Sequence, residues 1–228
     1  MLHNAVMKKW IMGLGVVLLA VSAFAKDKAE LDNRIRKLSG KFEALQAKPD
    51  KAIPAETLRK AHGIVLLDRT KAGFIFAFQG GGGMALVKDA KSGQWSAPAF
   101  LEATEASLGF QVGGQQSFLV ILLMNANATR FLTDGDIDFG GEARGTAGNS
   151  STGAEGSVNT TPAVLVYDDR KGLYGGAALK GGTISPDQDA NTLYYGQYVT
   201  LEDILFKNKF KPGEVADALV EKIEKAAK

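Results

Sequence analysis

The chain has 228 residues, with 27 Lys and Arg against 25 Asp and Glu, 27 glycines, two histidines and no cysteine. Because cysteine is missing, disulfides, thiolate catalysis, cysteine-ligated zinc or iron–sulfur sites and a thioether lipid anchor are excluded. The formal net charge is only +2, whereas nucleic-acid-binding domains are typically basic, so no nucleic-acid partner is predicted.

The first 25 residues have the pattern of a secretory signal peptide. Lys8 and Lys9 form a charged start, residues 10–20 are apolar, and Ala23-Phe24-Ala25 matches a signal-peptidase site. The apolar run is shorter than the roughly 20 residues that span a bilayer, although an uncleaved anchor is the alternative. We therefore predict export to a bacterial periplasm, without lipoprotein modification, and Met7 is an alternative start.

Residues 26–50 are predicted to form an amphipathic helix. Apolar residues recur at spacings of four and three, which places them on one helical stripe: Leu31, Ile35, Leu38, Phe42 and Leu45. Pro49 ends this helix, because proline disfavours helical geometry in the preceding residue. A short second helix is predicted from Pro54 to about His62, with Gly63 as its cap.

From Gly63 to about Gly196 the pattern is of strands and turns. Residues 118–124 are the most hydrophobic segment after the signal and predict a central buried strand. Residues 140–161 are rich in small residues and predict either a hairpin or a loop. Helical periodicity returns from Leu201. The predicted fold is α+β: a mainly antiparallel, Gly-rich, twisted or barrel-like sheet flanked by N-terminal and C-terminal helices.

The sequence does not indicate an enzyme, a metal site or a cofactor. Four glycines at 80–83 lack the spacing of a phosphate loop, and a glycine hinge or bulge that lets strands cross closely explains them better. Asp134, Asp136 and Asp138 lack the glycine and glutamate of a calcium-binding loop, which favours a solvated turn or strand face. His62 has no nucleophile-elbow motif to accompany it. We therefore predict no catalytic residues.

The amphipathic helix carries the predicted site. Arg34, Arg36, Lys37 and Lys41 would meet anionic headgroups while Leu38 and Phe42 enter the acyl boundary of a membrane. The alternative is that the apolar stripe packs on the chain's own domain. Basic residues outnumber acidic ones over 26–71, and the reverse holds over 72–200. That asymmetry would orient the chain on an anionic membrane or hold the helix on its own domain.

The order of several short motifs resembles the SYLF family, a lipid-binding module found in yeast actin-patch proteins and their animal and plant relatives. The motifs lie within 53–228 and occur in the family's order: Ile53-Pro54, Ala61-His-Gly63, Lys71-Ala-Gly-Phe74, the glycines at 80–83, Trp95-Ser-Ala-Pro98, Gly109-Phe-Gln-Val-Gly113, Lys171-Gly-Leu-Tyr-Gly-Gly176, Tyr194-Tyr-Gly196 and Pro212.

This resemblance implies that residues 51–228 form a lipid-binding domain for phosphoinositides or other anionic phospholipids, aided by an amphipathic helix N-terminal to it. One departure is that Gly145-Thr-Ala-Gly148-Asn149 stands where many members have a G-P-x-G-R segment. The sequence thus predicts an exported protein that binds membrane surfaces peripherally. The alternative is a periplasmic structural or protein-interaction factor that uses the apolar stripe of 31–45 to bind a protein partner or another copy.

Overall fold

The computed structural model of the chain describes residues 27–72, 76–108, 115–134, 137–138, 163–169, 172–174 and 182–228. Within these ranges the helices are α1 (Lys28–Gln46), α2 (Ala55–Lys60), α3 (Ala126–Arg130), α4 (Gln188–Tyr195), α5 (Leu201–Leu205) and α6 (Glu214–Ala226). The strands are β1 (Gly63–Ala72), β2 (Phe76–Val87), β3 (Ala99–Leu108), β4 (Gln115–Leu123), β5 (Ile137–Asp138), β6 (Val164–Asp168), β7 (Gly172–Tyr174) and β8 (Gly182–Pro186).

All the described strands join one antiparallel sheet. Its order is β5-β8-β3-β2-β1-β4-β6-β7, so the described sheet is open, with β5 and β7 at its two ends. This confirms the predicted α+β class with a mainly antiparallel sheet and flanking helices. The apolar segment predicted as a central buried strand is β4, which pairs with β1 on one side and with β6 on the other.

Both faces of the sheet are covered by helices. On β1, Ile64 and Leu66 point into one core, whereas Val65 and Leu67 point into a second core on the opposite face. The first core is closed by α1, α2, α4 and α6, and the second by α3 and α5. Burial on both faces explains why the central strands read as continuous apolar runs rather than alternating ones.

Helix α1 is held at its start by a side-chain cap and along its length by packing. The Asp27 carboxylate accepts a hydrogen bond of 2.8 Å from the Glu30 backbone N–H, which satisfies one of the helix's free donors. The helix predicted over 26–50 is confirmed as a helix over Lys28–Gln46. Its apolar stripe is at most 2 % exposed and lies in the first core, so it packs on the chain's own domain: Leu31, Ile35, Leu38, Phe42 and Leu45.

Two predictions about local structure were wrong. Gly63 does not cap α2, because that helix ends at Lys60 and Gly63 is already the first residue of β1. Besides the short α3, the predicted strand-and-turn region contains the helix α4, whose N-terminus is capped by the Asp187 carboxylate accepting from the Ala190 N–H at 3.1 Å. Gly196 ends α4 with φ of 69°, a conformation that glycine adopts without a steric penalty.

The C-terminal helical pattern is confirmed as two helices, α5 and α6, with Leu219 and Ile223 of α6 buried in the first core. The predictions for residues 1–25 and 140–161 lie outside the described residues. In the part of the chain that the structure describes, no helix combines the length and apolar character needed to cross a membrane.

Candidate functional site

The two apolar residues of the predicted lipid site are core residues. Leu38 and Phe42 are each 1 % exposed and pack with the sheet residues of the first core. In this conformation neither side chain can reach an acyl boundary. The same stripe that would enter a membrane is covered here by the sheet and α6, so the predicted lipid contact of these two residues stays a prediction and would require α1 to leave the sheet.

Arg34 is directed into the protein. Its guanidinium donates to the Asp187 carboxylate at 2.8 Å and to the Leu101 carbonyl oxygen, and it lies 5.5 Å from the centre of the Phe100 ring. The side chains of Arg34 and Asp187 are 19 % and 11 % exposed. This pair therefore connects α1 to the N-terminal end of α4 instead of facing solvent.

Gly82 of β2 makes room for the Arg34 side chain. A Cβ atom at this position would lie 2.5–2.8 Å from three atoms of the guanidinium group, closer than real Cβ atoms approach their neighbours. The glycine run at 80–83 lies inside the regular β1–β2–β3 ladder. The predicted hinge or bulge is wrong, because residues 80–83 pair in unbroken register with both neighbouring strands. The predicted close approach is present, and at Gly82 the approaching group is a side chain of α1.

Lys37 and Lys41 share one carboxylate. Their ammonium groups lie 2.8 Å and 2.5 Å from the two oxygens of Asp68 on β1. Burial would raise the pKa of the Asp68 carboxyl, but the hydrogen bonds and charges of the two lysines outweigh burial and hold the pKa below its ordinary value of 3.8. Asp68 thus ties the middle of α1 to the sheet.

The Asp68→Asn variant is expected to lose a pH-dependent part of the stability. Since the folded-state pKa of Asp68 is lowered, its contribution is present above the unfolded pKa and is lost as the pH falls through the folded pKa. The measurement is the free energy of unfolding by denaturant from about pH 7 to about pH 3 for both proteins. Their difference should be largest above about pH 4 and shrink in more acidic solution.

The carboxylates of Asp89 and Asp203, whose pKa values are also lowered by hydrogen bonds, are present in both proteins and cancel in this difference. A difference that stays constant over the whole pH range would contradict the assignment of Asp68 as the partner of the two lysines.

Arg36 is the member of the predicted set that lies wholly on the outer side of α1. It is exposed and donates to the Asn33 side-chain oxygen at 2.9 Å on the same helix. Lys37 keeps 63 % of its side chain exposed despite its contact with Asp68, whereas Lys41 keeps 27 %. Of the four predicted cations, Arg36 and Lys37 are therefore the two that a flat surface could reach.

Further contacts fix α1 against the C-terminal half of the chain. Lys222 of α6 donates to Glu43 at 2.8 Å and to the Ser39 hydroxyl at 3.0 Å. The Tyr194 hydroxyl donates to Asp32 at 3.4 Å. Burial, with help from the neighbouring Asp32 carboxylate, raises the pKa of Tyr194 to about 12, so this hydroxyl stays protonated at neutral pH.

The other chemistry-bearing residues do not come together in the described part of the chain. No group of three or more metal-ligating side chains is found among the described residues. Asp134 follows α3 and Asp138 lies in β5, while Asp136 is outside the described residues. His62 is exposed, and its backbone N–H and C=O bond to Leu123 and to Lys88.

One group of cations was not predicted from the sequence. Lys207, Lys209 and Lys211 follow α5 and are exposed, and the first two lie 3.1 Å and 2.7 Å from the Asp203 carboxylate. The sequence contains a pattern that would have predicted them. Three lysines alternate with other residues in a five-residue segment, and no acidic residue lies between them.

A shallow cavity of about 240 Å³ lies on the side of the second core, between α3, the end of β8 and the start of α5. Leu132, Pro186, Gln188 and Leu201 line it, and Tyr198, 73 % exposed, stands at its side.

Comparisons with known proteins identify the family. The family model described as "Las17-binding protein actin regulator" (Ysc84) matches residues 104–226. The SH3 domain-containing YSC84-like protein 1 of Bos taurus is 34 % identical over 185 residues, which cover 77 % of this chain and 54 % of the bovine protein. The human protein of the same name is 32 % identical over 185 residues, with the same two coverages.

LAS seventeen-binding protein 3 of Saccharomyces cerevisiae is 31 % identical over 183 residues, which cover 78 % of this chain and 39 % of the yeast protein. The chain thus spans about half the length of the animal relatives and less of the yeast one. The resemblance drawn from the short motifs is confirmed by the family match. The chain belongs to the Ysc84 family, the family of the SYLF domain.

Proposed function

We propose that this chain is an exported protein that binds anionic phospholipids at a membrane surface, in the folded state and without catalysis. The observation that carries the proposal is the pair of exposed cations, Arg36 and Lys37, on the outer side of α1 in a chain of the SYLF family. The family resemblance implies anionic-lipid binding, and export follows from the signal-peptide pattern of residues 1–25.

Energetics favour a surface contact over insertion of α1. Burying one large apolar side chain stabilises a protein by about 1.5–3 kcal/mol, so uncovering the apolar sheet residues beneath the five stripe residues would cost several kcal/mol, and burial of the stripe in lipid would not recover that cost. The whole free energy of unfolding of a domain is typically about 5–15 kcal/mol. The polar contacts to Asp187, Asp68 and Lys222 add to this cost. The helix therefore stays on the sheet, and its outer cations meet the headgroups.

The Arg36→Glu/Lys37→Glu double variant is expected to weaken binding to vesicles of phosphatidylglycerol and phosphatidylcholine by about tenfold or more. Each basic residue near an anionic surface contributes about 1 kcal/mol, and a change of sign turns that attraction into repulsion. The measurement is co-sedimentation of the purified exported protein with vesicles at fixed ionic strength, because surface charge effects are screened by salt.

The matched control is Lys225→Glu/Lys228→Glu, which makes the same charge change at two exposed lysines at the end of α6. Equal losses in the two variants would mean that total charge, and not this side of α1, governs binding. Absence of wild-type binding to every anionic vesicle would refute the proposal.

A crosslinked form separates surface contact from insertion. The chain has no cysteine, so Glu43→Cys/Lys222→Cys can be joined by a short thiol-reactive crosslinker across the 2.8 Å contact of the native pair. We expect the crosslinked and uncrosslinked forms to bind vesicles equally. Loss of binding on crosslinking alone would show that α1 must leave the sheet.

A protein-binding role is the second proposal, favoured by the family description, "Las17-binding protein actin regulator", and by the name of the yeast relative, "LAS seventeen-binding protein 3". The interaction surface would not be the one predicted from the sequence, because the apolar stripe of 31–45 is covered in the described structure. A protein partner, or a second copy of the chain, would have to bind another face.

A further inference from the structure

A second cationic surface lies where the segment after α5 meets the turn that follows β2. The segment 206–213 connects α5 to α6, and the turn is formed by residues 89–93. The Asn208 side-chain amide donates to the Asp89 carboxylate at 3.3 Å, which joins the two segments. The combined surface, segment 206–213 with turn 89–93, is called the lysine loop below.

Two aromatic side chains hold the lysine loop in place. Phe206 and Phe210 are partly buried against the second core. The Arg130 guanidinium lies 4.0 Å from the centre of the Phe206 ring, and the Phe210 ring lies 4.4 Å from that of Tyr195. Between them Asn208 has φ of 50°, which turns the backbone. The loop is thus fixed from inside, while its lysines are exposed.

The lysine loop carries a local excess of positive charge. Its exposed lysines are Lys91, Lys207, Lys209 and Lys211. Two aspartates lie beside them, and both carboxylates already bind groups of the chain itself. The Asp89 carboxylate accepts from the backbone N–H of Lys91 and Ser92 at 3.0 Å and 2.7 Å, and Asp203 is shared by two of the lysines.

We propose that the lysine loop is a second contact surface for anionic lipid headgroups. This inference rests on the proposed function and adds to it a site on a different part of the fold. A single-stranded nucleic acid is disfavoured because Phe206 and Phe210 face the core, so the loop offers no aromatic surface on which a base could stack. A duplex is disfavoured because the formal net charge is only +2, whereas nucleic-acid-binding domains are typically basic. Exposed lysine ammonium groups without stacking partners suit phosphate-bearing headgroups.

The test is co-sedimentation of the purified exported protein with phosphatidylglycerol–phosphatidylcholine vesicles. The triple variant Lys207→Gln/Lys209→Gln/Lys211→Gln should bind at least tenfold more weakly than wild type. The control removes the same charge from exposed lysines elsewhere, with Lys60→Gln/Lys225→Gln/Lys228→Gln, and should bind within about threefold of wild type.

A single variant guards against an effect on folding. Lys207 and Lys209 contact Asp203, so their removal also changes the end of α5. Lys211→Glu leaves both contacts in place and should still weaken binding several-fold, with the thermal midpoint unchanged. If neither the triple variant nor Lys211→Glu weakens binding while Arg36→Glu/Lys37→Glu does, the lipid-binding role of the lysine loop is refuted and the proposed function stands. If wild type binds no anionic vesicle, both fail.

Discussion

Replacing Phe42 by alanine is expected to lower the free energy of unfolding by about 3–5 kcal/mol. The Phe42 side chain is 1 % exposed and is among the largest fully buried side chains of the described core. Truncation removes its transfer free energy and leaves a cavity between α1 and the sheet that the surrounding side chains fill only in part. The measurement is equilibrium unfolding in denaturant, with the midpoint and the slope determined separately.

The matched control is Arg36→Ala, about 1.7 helical turns away on the outer side of α1, which should change stability by no more than about 0.5 kcal/mol. A Phe42→Ala variant as stable as Arg36→Ala would mean that the stripe of α1 is not part of the core in solution. That outcome would restore the interpretation of α1 as a free membrane-binding helix.

The second large effect on the free energy of unfolding is expected for Arg34→Ala and Gly82→Ala, and the losses from these two substitutions should not add. Arg34→Ala removes an ion pair and a hydrogen bond that are both partly buried, at a cost of about 2–3 kcal/mol. Gly82→Ala places a Cβ atom in the space of the guanidinium, which must move and give up part of the same contacts, at a cost of about 1–2 kcal/mol.

In the double variant the added methyl group meets no guanidinium. We therefore expect its stability to match that of Arg34→Ala, or to exceed it slightly, because alanine restricts the unfolded chain more than glycine does. The four proteins form a double-mutant cycle with a coupling energy of about 1–2 kcal/mol. Additive losses of stability would show that Gly82 is needed only for the packing of the sheet and does not make room for Arg34.

The local elements could be predicted from the sequence because their causes are local. The stripe of α1 and the apolar run of β4 each carry their periodicity within one segment, and the structure confirms both elements. Helix α4 also has local signals, the Asp187 cap and Gly196 at its end, but the surrounding glycines and strand-like segments concealed them. Such caps are weak evidence until the helix between them is suspected.

The use of the α1 stripe could not be predicted, because an apolar stripe has the same spacing whether it faces a membrane or a sheet. The partners that decide the question are distant in sequence. Lys41 bonds to a carboxylate 27 residues away, and Arg34 bonds to one that is 153 residues away. Periodicity within a segment holds no information about such pairings. The basic residues of α1 are therefore equally consistent with a lipid site and with ion pairs to distant parts of the same chain.

The packing of α1 against α6 also has a consequence for the order in which the chain can fold. The contact between Ser39 and Lys222 spans 183 residues, so α1 finds this neighbour only after α6 has been synthesised. Contacts of such long range slow folding, since a large loop must close before the contact forms. Helix α1 therefore completes the core late, and a chain whose α6 is still confined in the ribosome cannot adopt the native structure.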